Sequence, residues 1–260
     1  MMELNKIHNI DCLEFMKTLP DKCIDMTLTS PPYDNLRDYN EFSFDFEGIA
    51  KELFRITKEG GVIVWVVGDA VIDGSESGTS FKQALFFKEC GFRLHDTMIY
   101  QKNSYPFPPS NRYFNVFEYM FILSKGTPKT TNLIKVPTKG QGHKQSTFRE
   151  KDGTMSAGKY EFGKDERVKD NIWIYDVGFA KSTNDKTAFE HPAIYPEKLC
   201  QDHIISWSNE GDIVFDPFMG SGTTGKIAQM LKRKWIGTDV SKEYCDIAEQ
   251  RIKSISNPLF

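Results

Sequence analysis

Asp212-Ile-Val-Phe-Asp216-Pro-Phe-Met-Gly220-Ser-Gly222-Thr-Thr224 is the stretch on which the fold turns. Its first residues suit a short strand, and residues 223–233 have the spacing of a helix. Residues 234–238 then suit a second strand, which ends at Asp239. Gly220 and Gly222 let the backbone approach a ligand without Cβ clashes. Ligands of open α/β sheets bind at the carboxyl ends of the strands. An acid at the end of the second strand is placed to accept hydrogen bonds from ribose hydroxyls. The order strand, acid, Gly-x-Gly, helix, strand, acid favours a nucleoside site over a bare glycine turn. Residues 220–226 also fit the G-x-x-x-x-G-K loop of NTPases, but that loop needs Ser or Thr next to hold Mg²⁺, and residue 227 is Ile.

Upstream, short apolar runs alternate with helix-like segments, the pattern of an α/β sheet. Residues 24–29 read as a strand that feeds a loop at Pro31. Residues 46–57 have helical spacing, Gly60-Gly61 is expected to stop that helix, and 62–67 is a buried strand. Residues 81–90 suggest a helix closed by Gly91, with strands at 95–101 and 117–124. Tyr105-Pro-Phe-Pro-Pro109 between those strands cannot be regular structure. A strand at 171–175, a helix at 196–209 and a last helix at 242–255 complete the pattern.

The chain has 260 residues, enough for one large domain or one domain with an insert. Apolar residues make up 39% and charged residues 27%, an ordinary globular composition. Five scattered cysteines (Cys12, Cys23, Cys90, Cys200, Cys245), without a CxxC pair, suggest reduced thiols in a cytosolic protein rather than a disulfide framework or metal site. The opening Met-Met-Glu-Leu-Asn-Lys lacks the apolar run of a signal peptide, and no stretch is apolar for the roughly 18 residues of a membrane span. A cytoplasmic protein is expected. Net charge is −3, yet residues 125–170 hold eleven Lys/Arg against six Asp/Glu, a local +5 that leaves −8 elsewhere. Such asymmetry implies one basic surface on an acidic protein. Residues 125–169 also hold six glycines and few apolar side chains, the mark of an insert.

Thr29-Ser30-Pro31-Pro32-Tyr33 closes the first strand. Two prolines fix φ and remove two backbone donors, so the loop offers carbonyl oxygens and the Ser30 hydroxyl as acceptors. An amine that must shed a proton while attacking carbon needs such acceptors. Tyr33 offers a face on which a base can stack. By itself the segment is more often just a stiff loop end.

Together the two segments resemble the amino-group DNA methyltransferases, whose catalytic motif is [D/N/S]-P-P-[Y/F/W] and whose cofactor motif is similar to Asp216-Pro-Phe-Met-Gly-Ser-Gly-Thr-Thr224. The catalytic motif comes first and a long insert separates the two, which resembles the permuted β group. His191-Pro-Ala-Ile-Tyr-Pro-Glu-Lys-Leu199 resembles the segment that holds the methionine end of the cofactor, and Asn9-Ile-Asp11-Cys12 the segment near its adenine. The resemblance covers nearly the whole chain outside 125–170.

It implies an α/β, Rossmann-like S-adenosylmethionine methyltransferase sheet, mostly parallel with one antiparallel strand. Residues 1–124 would be the catalytic part, 125–170 a target-recognition insert and 171–260 the cofactor-binding part of the same domain. It implies S-adenosylmethionine as cofactor and no metal. Asp11, Cys12, His191, Pro192, Asp216, Phe218, Gly220, Ser221, Gly222, Thr223 and Asp239 would line the cofactor. Ser30, Pro31, Pro32 and Tyr33 would be the catalytic loop. Methyl transfer would reach a base flipped from double-stranded DNA, at a few kcal/mol of unstacking. Hydrogen bonds from the amine to the Ser30 hydroxyl and Pro31 carbonyl would make its nitrogen more nucleophilic. No covalent step is needed, so no cysteine is assigned as nucleophile, and burial as a small apolar residue is the expectation for each.

Phe107, Tyr113 and Phe114 could wall the base or simply pack on the sheet. His143, Lys144, Gln145 and Arg149 have donors and acceptors for base edges, although half or more of such contacts go to the backbone. Ser at the first motif position resembles the N4-cytosine enzymes, so N4 of cytosine is favoured over N6 of adenine. A homodimer and a cognate restriction endonuclease are partners that the family implies. Related enzymes with N-P-P-Y methylate glutamine amides in proteins, but they place the cofactor motif first and lack a basic insert. A binding module without catalysis would not need both loops.

Overall fold

The structure, a computed structural model, describes residues 2–32, 44–103, 111–138, 147–157, 165–178, 181–183, 185 and 196–255. The chain divides into two compact units. One joins Met1–Asn132 to Asn171–Phe260, and the other is Leu133–Asp170.

The larger unit begins with β1 (Lys6–Asn9), α1 (Cys12–Thr18), β2 (Ile24–Thr29), α2 (Phe46–Ile56) and β3 (Thr57–Val67). A small hairpin, β4 (Val71–Ile72) and β5 (Ser75–Glu76), precedes α3 (Thr79–Glu89), β6 (Arg93–Lys102) and β7 (Phe117–Ser124). The smaller unit holds β8 (Lys135–Pro137), β9 (Thr147–Arg149), β10 (Met155–Ala157) and β11 (Glu166–Val168). The chain returns with β12 (Ile172–Tyr175), α4 (Glu197–Trp207), β13 (Ile213–Asp216), α5 (Thr223–Met230), β14 (Lys234–Asp239) and α6 (Lys242–Ile255).

Eight strands form one sheet in the order β1-β14-β13-β2-β3-β7-β6-β12. Only β7 runs against its neighbours; the other pairings are parallel. The expected mostly parallel sheet with one antiparallel strand is therefore present. Helices cover both faces, which is why Val62–Val67 can be apolar at six consecutive positions, each at most 1% exposed. Ile63, Trp65 and Val67 face a core shared with Phe15 and Met16 of α1, Leu53 and Ile56 of α2, and Phe87 of α3. The alternate residues turn to the opposite face, where α4, α5 and α6 pack in series and His203 of α4 touches Met120 of β7. None of the described helices is long and apolar enough to cross a membrane.

Two expectations need correction. Gly60-Gly61 does not stop α2. That helix ends at Ile56 with Thr57 as its cap, and both glycines lie inside β3. The register of β3 with β2 shifts between Thr57 and Val62, and Gly60 takes φ +78°. Residues 125–132 belong to the larger unit, not to the insert. The Lys125 backbone exchanges hydrogen bonds with Gly60 and Gly61, and Asn132 bonds to the end of α4.

Among its described residues the smaller unit holds two antiparallel pairs, β8 with β11 and β9 with β10. Leu133, Met155 and Val168 are 46%, 64% and 50% exposed, so these apolar side chains are not packed into a core. Local hydrogen bonds shape it instead. Asp152 accepts from the Thr154 amide and hydroxyl, which holds its carboxyl below the usual range, and Arg167 pairs with Asp170.

Candidate active site

The carboxyl ends of β1, β14, β13 and β2 lie side by side. Consequently Thr29 and Asp216, far apart in sequence, are neighbours. The Thr29 hydroxyl donates to Asp216 Oδ1 at 2.6 Å, and Ser30 is the next residue. Asp216 Oδ1 also accepts from the Phe218 amide at 3.0 Å, and Oδ2 from the Thr224 hydroxyl at 2.6 Å. The side chain is 1% exposed. Burial pushes its pKa up to about 6, against the pull of these three donors. Asp216 thus braces the loop: it ties the turn after β13, the first turn of α5 and the end of β2 together.

The loop beyond it is shaped by close packing. Gly220 and Gly222 have φ of +51° and +82°. A Cβ on Gly222 would lie 2.7 Å from the Ala248 Cβ of α6, so a side chain is excluded there by both conformation and space. The Gly220 amide donates to Asp239 Oδ2 at 2.9 Å, and the Ser241 amide to Oδ1 at 2.8 Å. Burial raises the Asp239 pKa. Asp239 is half-buried, beside the end of β1, where Asn9 donates its side-chain amide to the Asp239 and Val240 carbonyls. Next to it, Ile10 is 37% exposed. A carboxylate, an apolar side chain and a close-approach glycine turn are the donor set a nucleoside needs. The residues present therefore fit the expected cofactor.

Asp11 is exposed and caps α1, its Oδ1 accepting from the Leu13 and Glu14 amides. Cys12 is 4% exposed in the core, and burial drives its thiol far above the usual range. Cys245 behaves alike, pushed up to about 12. Such thiols are poor nucleophiles. Phe218 is half-buried and meets Trp65 edge-on. Ser221 and Thr223 are buried. Pro31 is buried, and Ser30 and Pro32 are half-buried. Lys226 does not face the loop as an NTPase lysine would; its ammonium lies 2.8 Å from Glu197. Tyr113 is 99% exposed, which excludes packing on the sheet. Arg149 is exposed on β9 in the smaller unit. Tyr33, Phe107, His143, Lys144, Gln145, His191 and Pro192 lie outside the described residues.

The sequence reading missed Arg251. It is 1% exposed, and its guanidinium bonds to the Ser221 carbonyl and hydroxyl, to Asp185 and to Glu197. A signal existed: on α6, Cys245, Ala248, Arg251 and Ile252 share the buried stripe, an arginine among apolar residues at helical spacing.

Fold and loop geometry together define a Rossmann-like S-adenosylmethionine methyltransferase. Among solved structures the chain is similar to M1.HpyAVI in complex with SAM (TM-score 0.63, 23% identity, 95% of this chain and 98% of that one). It is also similar to the cytosine-N4-specific PvuII DNA methyltransferase (TM-score 0.69, 21% identity, 94% and 85%). It shares 58% identity over 243 residues with the orphan methyltransferase M.BamHII of Bacillus amyloliquefaciens, covering 92% of each chain. With the type II methyltransferase M.BglII of Bacillus subtilis it shares 28% over 257 residues, 95% of this chain and 68% of that one. A family model described as DNA methylase, for N6 and N4 methyltransferases, matches residues 24–250. The chain belongs to the amino-group DNA methyltransferases.

Proposed function

We propose that this enzyme methylates the exocyclic amine of a base flipped out of double-stranded DNA, with N4 of cytosine as acceptor. The observation that carries the reading is the Thr29–Asp216 hydrogen bond, which fastens the strand end before Ser30-Pro31-Pro32-Tyr33 to the head of the glycine loop. Acceptor loop and cofactor loop are thus held edge to edge, as a direct transfer requires.

S-adenosylmethionine supplies an electrophilic methyl group. The Ser30 hydroxyl and Pro31 carbonyl accept hydrogen bonds from the target amine, drawing its lone pair out of conjugation, and the amine proton passes to solvent after transfer. Tyr33 stacks on the flipped base and offsets part of the unstacking cost. Asp239 accepts from the ribose hydroxyls. Asp11 and the backbone at Cys12 border the adenine, and His191 and Pro192 the methionine end. Gly220, Ser221, Gly222 and Thr223 form the floor. Asp216 and Phe218 act indirectly, as brace and packing. Ser30 at the first motif position resembles the N4-cytosine enzymes, which supports cytosine over adenine as the target.

Residues 133–170 contact the DNA in this reading. Arg149 and Lys144 meet phosphates or bases, and His143 and Gln145 base edges. The name of the 58% identical relative, an orphan methyltransferase, supports an enzyme that works without a cognate restriction endonuclease. Homodimerisation, checked by light scattering, and a cytoplasmic location complete the proposal. Incubation with labelled S-adenosylmethionine and unmethylated bacterial DNA tests the substrate class. Label is expected in DNA; label in protein with none in DNA would contradict the reading and point to amide methylation.

A further inference from the structure

We propose that Arg251 is a positioning residue for the cofactor, fastening both flanks of residues 186–195 to the glycine loop. The inference rests on the S-adenosylmethionine reading above. One guanidinium serves three directions. Nε donates to Asp185 Oδ2 at 2.8 Å, and Nη2 to Glu197 Oε1 at 3.0 Å. Nη1 donates to the Ser221 carbonyl and, at 2.9 Å, to its hydroxyl. Asp185 and Glu197 stand at the two ends of the stretch that contains His191 and Pro192. Glu197 Oε1 also accepts from Lys226 of α5 at 2.8 Å and from the Thr183 hydroxyl at 2.7 Å. Two cations and two carboxylates make a neutral cluster, and Arg251 is its most buried member.

Packing alone does not call for this arrangement, because an apolar side chain of similar volume would fill the site without desolvating a charge. A guanidinium offers what packing cannot, a planar fork with fixed directions. Its bond to the Ser221 carbonyl fixes the Ser221–Gly222 peptide plane. The adjacent residue, Gly220, donates its amide to Asp239, the ribose acid. The loop, the ribose acid and both flanks of the methionine-end stretch share one anchor.

Arg251→Lys keeps the charge and loses the fork. Binding of labelled S-adenosylmethionine to the full chain, by equilibrium dialysis well below the unfolding temperature, is the primary measurement. The dissociation constant is expected to rise about tenfold or more, as for loss of a charge-assisted hydrogen bond. The turnover number at saturating cofactor should stay within about threefold, so that the loss appears in KM. Amide exchange in the unliganded protein should quicken at 182–185 and 197–198. Glu197→Gln is expected likewise to raise the dissociation constant and quicken exchange with turnover retained, and it carries the test alone where Arg251→Lys does not fold. A lowered unfolding temperature with wild-type dissociation constant and exchange would make Arg251 merely structural and overturn the inference. Failure of the wild type to bind would overturn the cofactor reading itself.

Discussion

Two glycine turns in this chain take nearly the same φ and are held in opposite ways. Gly222 has φ +82° and Gly153 φ +87°. A Cβ on Gly222 would strike α6, and the residues around it, Ser221, Thr223 and Thr224, are at most 4% exposed. Nothing lies within 4 Å of where a Cβ on Gly153 would stand, in a hairpin whose neighbours are exposed. The first turn is dictated from outside by helices, strands and buried hydrogen bonds. Among the described residues the second is held by bonds within residues 150–154. Chemistry that must be the same at every turnover sits on the first kind of scaffold. In the proposed function, the surface that would match a DNA sequence is built on the second, where side chains change without disturbing a core.

The contrast can be broken most sharply at Ser30. Ser30→Ala should lower turnover about a hundredfold or more, the scale of one hydrogen-bonding group aimed at the reacting centre. Cofactor binding should survive. Wild-type turnover would remove Ser30 from the mechanism. The two glycines come next. Gly222→Ala should cost about 3 kcal/mol or more, from left-handed strain plus the clash with Ala248, whereas Gly153→Ala should cost about 1 kcal/mol. Urea unfolding of both variants checks this, and equal costs would remove the distinction drawn here.

Asp216 supplies a pH test. Its folded pKa, about 6, lies above the ordinary aspartate value of about 3.9, so its contribution to stability is complete below that ordinary value and fades as pH rises through about 6. The loss is on the order of 3 kcal/mol. Asp216→Asn should lack this step, so the stability difference between wild type and variant should shift in the variant's favour between pH 4 and 7. A parallel pair of curves would contradict the buried ionised brace. The smallest effect is expected at Arg149. Arg149→Ala should weaken DNA binding a few-fold, lower the salt slope by about one and leave stability unchanged. A large loss of stability would mean that the exposed unit is braced after all.

The same contrast explains what was legible in the sequence. The strand at Ile24–Thr29 and the last helix, Lys242–Ile255, are as expected, because continuous apolar runs and amphipathic spacing are written locally. The turn around Gly220 and Gly222 was legible because a strained backbone admits few residue types. β1 was not foreseen. It has four residues and one buried side chain, and it forms by pairing with β14, at the other end of the chain. The Gly60-Gly61 error has a similar origin, since its partner, Lys125, is remote. The bonds from Thr29 to Asp216 and from Arg251 to Ser221 were invisible for the same reason: each joins residues that only the strand order brings together. The short strands of the smaller unit carry no periodicity to read.

Digestion of methylated DNA to nucleosides, followed by mass spectrometry, tests the central claim most directly. After incubation with the enzyme and S-adenosylmethionine, the account predicts N4-methyldeoxycytidine, and none when Ser30 is replaced by alanine. N6-methyldeoxyadenosine as the sole product would contradict the assignment of Ser30 to a cytosine pocket.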